Sequence, residues 1–216
     1  MKLLVWNVRG FNHCLKQKEV VYRIRRLEVN LVCLLETRVK ENKMKEIVDK
    51  WLPSWSCLQN YFYAVNGRIW LLWKDAFQVS LSAATDQSIT VSIKFDSQSF
   101  FFTAIYGCND GIDRRRLWSH LESIHNTVLE GSWLLVGDFN VTMDPSESSS
   151  GSHMLSSDMK DFIEACRKIS IFDHAYLGPF FAWSNKHQEG FLARKFDRAL
   201  INESWLNNFT HSLLSF

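Results

Sequence analysis

Short runs of hydrophobic residues alternate with amphipathic stretches along the first quarter of the chain. Residues 31–35 are continuously apolar, a pattern typical of a strand that is buried on both faces. Between residues 16 and 28, apolar side chains recur at helical spacing and the opposite face is basic. A shorter apolar run at residues 3–6 and an amphipathic stretch at residues 42–51 predict another strand and another helix. Strands separated by helices in this way indicate an α/β fold.

The middle of the chain carries a different pattern, in which strand signals follow one another with only short turns between them. Residues 89–95 alternate between apolar and polar side chains, as expected for a strand with one exposed face. Neighbouring strands are predicted at residues 68–73, 78–82 and 100–106. This region should therefore form an antiparallel meander.

The second half of the chain returns to alternating helices and strands. Helical spacing predicts one helix over residues 117–128 and a second over residues 159–166, the latter capped by Ser157 or Asp158. Strands are predicted at residues 133–136, 180–183 and 195–201, and a polar loop at residues 146–157. Two groups of strands with helices outside them indicate two packed mixed β-sheets, each covered by helices, in one domain over residues 1–216.

The composition is that of a globular protein and excludes several classes. Hydrophobic residues make up 46% of the 216 positions and charged residues 22%, so the chain should bury a core. The basic and acidic residues are nearly balanced, with a formal net charge of +2. This balance does not indicate a strongly basic nucleic-acid binder, but it is compatible with a local basic patch. The five cysteines form no C-x-x-C pair, and several lie in apolar runs, which favours buried thiols in a reducing compartment.

The sequence contains neither a membrane-spanning nor a targeting signal. No apolar run reaches the roughly 18 residues of a transmembrane helix. The apolar run near the N-terminus is too short for a signal peptide. We therefore expect an intracellular protein that does not bind membranes.

Five polar residues lie at or next to the predicted buried strands. They are Asn7, Glu36, Asp138, Asn140 and Asp197. Polar groups at the carboxyl ends of strands meet at one rim of an α/β sheet, where binding sites usually lie. Carboxylate and amide oxygens, without clustered His or Cys, are ligands that suit Mg²⁺, which is commonly bound together with substrate phosphates. The alternative, that any one of these residues only caps a strand or holds a turn, stays open.

Five short motifs, four of which contain these residues, occur in a characteristic order along the chain. They are Trp6-Asn7-Val8-Arg9-Gly10, Leu34-Leu35-Glu36-Thr37-Arg38, Ile105-Tyr106-Gly107, Gly137-Asp138-Phe139-Asn140 and Lys195-Phe196-Asp197-Arg198. Together they resemble the endonuclease/exonuclease/phosphatase superfamily, and more narrowly the apurinic-type endonuclease domain of plant LINE (non-LTR) retrotransposons. The segments at residues 67–73 and 181–185 strengthen the LINE resemblance. The resemblance implies a four-layer α/β sandwich.

The resemblance also implies a role for each motif residue. Glu36 would be the principal Mg²⁺ ligand with Asn7 beside it, and Mn²⁺ would be a substitute ion. Asp138 would orient or deprotonate the attacking water, and Asn140 would hydrogen-bond the phosphate or that water. Tyr106 would donate a hydrogen bond to a phosphate oxygen as charge develops. These roles define hydrolysis of a phosphodiester bond.

Asp197 is the motif residue for which the resemblance is incomplete. In the family this aspartate orients the histidine of a later Ser-Asp-His motif, and no such motif occurs in this sequence. His211 is not preceded by Asp, and the sequence stops at Phe216. We therefore expect a domain that is truncated before its last strand or strands, with weak or absent activity.

Nucleic-acid contacts are expected from basic and aromatic residues in or near these motifs. They are Arg9, Arg114, Arg115, Arg116 and Trp183. Ala182 stands before Trp183 where the family commonly has Thr, which removes a hydroxyl expected near the DNA. By resemblance the partner is DNA and the location is the nucleus, whereas the reverse transcriptase domain of a LINE protein is absent from these 216 residues.

Three functions follow from these observations. The first is a Mg²⁺-dependent DNA endonuclease that leaves a 3′-hydroxyl end, which in LINE elements primes reverse transcription. The second is a catalytically defective, retrotransposon-derived fragment that binds nucleic acid. The third is a phosphatase or RNA nuclease with the same metal site, which the LINE-like segments disfavour.

Overall fold

The computed structural model describes residues 1–65, 67–149, 154–178, 183–184 and 193–215. Contacts divide the chain into two compact units, Met1–Tyr106 and Gly107–Phe216. Within the described ranges, no helix is long and apolar enough to cross a membrane.

A four-stranded sheet forms the first part of the N-terminal unit. Its strands are β1 (Leu3–Asn7), β2 (Leu31–Leu35), β3 (Trp55–Gln59) and β4 (Ile69–Lys74), arranged in the order β1-β2-β4-β3. β1 and β2 are parallel, and β4 runs antiparallel to both β2 and β3. All five side chains of β2 are buried, as its continuous apolar run predicts.

Two helices cover one face of this sheet. They are α1 (Cys14–Arg26) and α2 (Glu41–Trp51). His13 caps α1, because its side chain accepts a hydrogen bond from the amide of Leu15. The apolar face of α1, with Val20 and Ile24, joins Leu34 and Trp70 in one buried cluster. The helical spacing read from the sequence is thus the spacing of buried side chains.

The N-terminal unit also contains the predicted meander. Its strands are β5 (Gln78–Ala84), β6 (Ser88–Phe95) and β7 (Gln98–Tyr106), and each adjacent pair is antiparallel. The apolar residues of the alternating segment, Ile89, Val91 and Ile93, are fully buried. A bulge between Leu81 and Ala83 shifts the register of β5 against β6.

The C-terminal unit begins with a long helix, a buried strand and a second helix. These are α3 (Gly111–Val128), β8 (Trp133–Asp138) and α4 (Ser157–Lys168), with a 3₁₀ turn at Pro145–Glu147 between β8 and α4. The cap of α4 is Ser156, whose hydroxyl accepts from the amide of Met159, so the predicted caps at the next two positions were wrong.

Shorter elements complete the C-terminal unit. They are β9 (Phe172–Asp173), β10 (Tyr176–Leu177), β11 (Trp183–Ser184), β12 (Ala193–Arg194), β13 (Asp197–Ile201), α5 (Glu203–Asn208) and β14 (Leu214–Ser215). β13 is antiparallel to both β8 and β9, β11 is antiparallel to β12, and β10 is parallel to β14. The predicted strand at residues 180–183 lies outside the described residues except for Trp183.

A buried network of charges connects three segments of the C-terminal unit. Arg198 has a fully buried side chain and pairs with Glu147 and, at 2.6 Å, with Asp173. Lys195 is 3.1 Å from Asp173 and 3.7 Å from Glu147. Glu147 also accepts a hydrogen bond from the amide of Met143 at 2.6 Å. The network therefore joins β13 to β9 and to the 3₁₀ turn.

Candidate active site

Asn7 and Glu36 lie at the carboxyl ends of two adjacent parallel strands in the N-terminal unit. Asn7 is the last residue of β1 and lies opposite Leu35, so Glu36 directly follows the paired end of β2. The Asn7 side-chain oxygen accepts a hydrogen bond from the amide of Arg9 at 3.1 Å. Glu36 is only 8% exposed. The sequence pattern correctly predicted this placement, and the roles of the two residues stay predictions.

The backbone around Glu36 is fixed in an uncommon conformation. Glu36 and Arg38 both have positive φ, at 55° and 54°, a region that non-glycine residues seldom adopt. The segment after β1 hydrogen-bonds to it, from Gly10 to the Glu36 carbonyl at 2.8 Å and from Phe11 to the Thr37 carbonyl at 2.7 Å. These bonds hold the Glu36 carboxylate at the strand end.

The Glu36 carboxylate pairs with the guanidinium of Arg38, whose side chain is 66% exposed. The motif that suggested Glu36 also contains Arg38, but the sequence alone did not indicate this ion pair. In the part of the chain that the structure describes, no group of three or more His, Cys, Asp or Glu residues could hold a metal. A single carboxylate with the oxygen of Asn7 nevertheless fits Mg²⁺, which keeps several waters and binds through one or two carboxylates.

Tyr106 ends β7 in the same unit and is partly buried. Its amide donates to the carbonyl of Gln87 at 2.9 Å, which fixes the strand end. The Arg68 guanidinium lies over the Tyr106 ring, 5.7 Å from its centroid, as in cation–π contacts. Sequence reasoning did not single out Arg68 as a site residue. Its only signal was its place in the LINE-like segment before β4.

Asp138, Asn140 and Asp197 come together in the C-terminal unit. Asp138 ends β8, is 6% exposed and lies directly opposite Asp197, the first residue of β13. The Asp138 carboxylate accepts from the amide of Asn140 at 3.0 Å. Asn140, at φ 52°, donates from its side chain to the Gly107 carbonyl at 2.8 Å. The strand pairing thus places two carboxylates and an amide at one end of the β8–β13 pair.

Aromatic packing supports the turn that follows β8. Phe139 is fully buried, and its ring centroid lies 5.2 Å from that of Phe162 on α4. Trp118 on α3 stacks on Phe162 with centroids 4.8 Å apart. The turn residue between Asp138 and Asn140 therefore contacts α4 directly, and α4 in turn packs on α3. Such packing restricts the motion of the motif.

The three successive arginines of α3 occupy different environments. Arg114 is 2% exposed and donates to the carbonyl of Cys108 at 2.6 Å and to Asp158 at 2.8 Å. Burial lowers its pKa. These contacts hold the Arg114 guanidinium inside the protein, so the structure does not support its predicted contact with a phosphate. Arg115 is exposed and pairs with Asp161 at 2.7 Å.

The remaining residues predicted to contact nucleic acid are Arg116, Arg9 and Trp183. Arg116 is exposed and 3.3 Å from Asp113 on its own helix. Arg9 is exposed at φ 49°, two residues after Asn7. Trp183 lies in β11 opposite Arg194. The substituted position Ala182 lies outside the described residues.

The sequence and the fold were compared with known proteins. The model of the endonuclease/exonuclease/phosphatase family matches residues 4–215. No curated protein sequence matches the chain significantly. A similar solved structure is the endonuclease domain of TRAS1, a telomere-specific non-LTR retrotransposon. It has a TM-score of 0.73 and 11% identity, covering 95% of this chain and 86% of that one.

Two further solved structures share the fold. The AP endonuclease LMAP of Leishmania major aligns with a TM-score of 0.68 and 13% identity over 93% of this chain and 78% of its own. TDP2 of Caenorhabditis elegans aligns with a TM-score of 0.62 and 12% identity over 92% of this chain and 63% of its own. The chain thus has the mixed α/β fold that these solved structures share. The chain belongs to the endonuclease/exonuclease/phosphatase family.

The fold prediction from the sequence is confirmed by this comparison. The fold is mixed α/β with two large mixed sheets flanked by helices, as in the endonucleases of the family. The structural neighbours include nucleases. At identities of 11–13%, what these structures share with this chain is the fold.

Proposed function

We propose that this protein is a Mg²⁺-dependent endonuclease that hydrolyses phosphodiester bonds in DNA and leaves a 3′-hydroxyl, of the type found in LINE retrotransposons. The observation that carries the proposal is the nearly buried carboxylate of Glu36 beside Asn7 at the ends of β1 and β2. The exposed Arg38 guanidinium offsets the burial of this carboxylate, and a metal ion would displace it. The motif order and the family fold support phosphodiester chemistry at this position.

Each residue of the site has a proposed task. Glu36 and Asn7 would hold the ion, which when bound supplies neutralising charge to the scissile phosphate and the leaving oxygen. Asp138 accepts a hydrogen bond from its own turn, which aims the carboxylate, and would take a proton from the attacking water. Asn140 and Tyr106 would donate hydrogen bonds to phosphate oxygens.

The absence of Ser-Asp-His from the sequence favours a second candidate, a defective fragment that binds DNA without cutting it. Loss of one group that stabilises a transition state typically costs on the order of 10²–10³ in rate. We therefore expect a polypeptide of these residues to nick slowly.

The test is nicking of supercoiled plasmid with Mg²⁺, followed by extension of the nick with a DNA polymerase to detect the 3′-hydroxyl. Glu36→Gln is the matched variant, because it keeps the shape of the side chain and removes its charge. Nicking that is lost in Glu36→Gln and yields extendable ends supports the proposal. Nicking at equal rates by both proteins contradicts it. Cleavage of RNA or of a phosphomonoester but not of plasmid would indicate the third function.

A further inference from the structure

A loop between β3 and β4 exposes an unusual amount of aromatic surface. We name residues 61–65 the aromatic loop. Phe62 is 92% exposed, the highest value for any large hydrophobic side chain that the structure describes, and Tyr63 and Val65 are 52% and 88% exposed. The rings of Phe62 and Tyr63 meet edge to face with centroids 5.0 Å apart. Adjacent exposed apolar side chains are more often binding surfaces than singly exposed ones.

The aromatic loop is held in place from its buried side. The Tyr61 hydroxyl donates to the carbonyl of Val39 at 2.9 Å and accepts from the indole of Trp70 at 3.0 Å. The Asn60 side-chain oxygen accepts from the amide of Ile69 at 3.1 Å, and the Asn60 carbonyl accepts from the amide of Ala64 at 2.9 Å. Phe62 is thus exposed on a supported turn, and little conformational entropy would be lost when it binds a partner.

The aromatic loop is connected directly to the backbone that carries Glu36. Gly67, which follows the loop, accepts from the Thr37 hydroxyl at 2.8 Å and from the Arg38 amide at 3.1 Å. Gly67 has φ 50°, and a Cβ there would lie 2.1 Å from the Tyr61 ring, so the close approach requires glycine. The same residue thus ties the loop to the candidate metal site.

The charges near the aromatic loop match one kind of partner. Arg38, which pairs with the Glu36 carboxylate, is exposed, Arg9 is exposed two residues after Asn7, and Arg68 follows the loop. Arginines beside exposed rings are what proteins use to bind single-stranded nucleic acid, with cations on the phosphates and rings under the bases.

We propose that Phe62 and Tyr63 form a stacking platform for DNA bases next to the candidate metal site at Glu36. The proposal deepens the proposed function and rests on it for the identity of the polymer. A base on the Phe62 ring would be unstacked or unpaired, since a ring can stack only on an exposed base face. The platform would therefore favour DNA whose strands are locally open over a closed duplex.

The experiment measures binding without cleavage. Fluorescence anisotropy with a labelled single-stranded oligonucleotide, in EDTA, compares the wild type with Phe62→Ala, Tyr63→Ala and Phe62→Trp. Stacking on aromatic side chains is worth about 1–3 kcal/mol per base, so we expect each alanine variant to bind about 5- to 150-fold more weakly. Phe62→Trp should retain affinity. Tyr22→Ala is the matched control, because Tyr22 is an exposed aromatic of the same unit, 66% exposed on α1.

The outcomes separate this inference from the proposed function. If the wild type fails to nick plasmid but loses oligonucleotide binding in Phe62→Ala, the platform is supported and the endonuclease proposal fails. If the wild type nicks and Phe62→Ala binds as tightly as Tyr22→Ala, the platform is overturned. It is also overturned if Phe62→Ala lowers self-association in sedimentation, or binding to anionic vesicles, and leaves DNA affinity unchanged.

Discussion

The side-chain amide of Asn140 donates a hydrogen bond to the carbonyl oxygen of Gly107 at 2.8 Å. The Gly107 amide in turn donates to the backbone carbonyl of Asp138 at 2.8 Å. Gly107 thus accepts a hydrogen bond from Asn140 and donates one to Asp138. Asp138, the proposed base, and Asn140, the proposed phosphate donor, are therefore both hydrogen-bonded to Gly107. We expect a substitution that displaces one of these two residues to displace the other.

Asn140→Ala should lower the free energy of unfolding by about 2 kcal/mol, from a lost hydrogen bond of about 1 kcal/mol and from alanine at a positive φ. Asn140→Gly is the matched variant, because glycine loses the same bond but tolerates φ 52°. Urea unfolding should rank the proteins wild type, Gly, Ala. Both variants should nick DNA slowly if the amide acts on the phosphate. Equal stability of Ala and Gly variants would contradict the conformational part of this prediction.

Gly107→Ala should displace the turn that carries Asn140. A Cβ on Gly107 would lie 2.7 Å from the carbonyl oxygen of Phe139, which is backbone and cannot rotate away. Overpacking of this kind typically costs about 1–3 kcal/mol. Thermal unfolding should show the loss, and Ser119→Ala at an exposed position of α3 should not. A Gly107→Ala protein of wild-type stability would show that the turn adapts freely.

Most regular elements could be predicted because their hydrophobic periodicity is also the periodicity of burial. β2 is buried throughout and the apolar face of β6 is buried, as the pattern requires, but the exposed face predicted for β6 is wrong at Thr90, which is fully buried. β3 was missed because all five of its side chains are only partly buried, which leaves no clear alternation. α5 was missed because six residues are too few to show a period. It is defined by its cap, where Asn202 accepts from the amide of Trp205 at 3.0 Å.

The candidate site could be predicted in part for a similar physical reason. A polar residue after a buried strand must lie at a strand end, so the positions of Asn7 and Glu36 followed from the pattern. The Glu36–Arg38 ion pair could not be predicted, because it depends on a positive φ at both Glu36 and Arg38. The burial of Arg114 could not be predicted from the sequence either, because its partner Asp158 is 44 residues away on another helix.

Removing the charge of Arg38 should strengthen metal binding at Glu36. In the metal-free protein the guanidinium occupies the carboxylate, and a cation must displace it. An ion pair with one exposed partner is worth about 0.2–1 kcal/mol, so Arg38→Gln should tighten Mn²⁺ binding by about 1.4- to 5-fold. Electron paramagnetic resonance of free Mn²⁺ measures this without DNA. Glu36→Gln should abolish the same binding, and weaker binding by Arg38→Gln would refute the competition.

Arg198→Met should be among the most destabilising single substitutions in the chain. The arginine is fully buried between Glu147 and Asp173, and its loss leaves Glu147 with the more distant Lys195 and with the backbone amides of the 3₁₀ turn region, which carry no full charge. Breaking a buried pair typically costs about 3–5 kcal/mol. Arg116→Met removes an exposed arginine paired with Asp113 and should have little effect on urea unfolding. Restored stability in Arg198→Met combined with Glu147→Gln would confirm that the stranded carboxylate is the cause.

Alkaline pH should destabilise the protein through its buried thiols. Burial raises the pKa of Cys166 to about 12 and that of Cys33 still further above its ordinary value. Above about pH 9 the unfolded chain loses these protons while the folded protein retains them. The folded state then binds more protons than the unfolded state, so the free energy of unfolding falls as pH rises.

The slope of this fall is measurable by urea unfolding between about pH 9 and 11. Each retained proton contributes about 1.4 kcal/mol per pH unit, so Cys166→Ala should be less stable at neutral pH but should lose stability more slowly with rising pH. Cys14→Ser is the control, because it removes an exposed cysteine. Ellman's reagent should label Cys14 rapidly in the native protein and reach Cys33 and Cys166 only in denaturant. Rapid native labelling of either buried thiol would contradict both parts of the prediction.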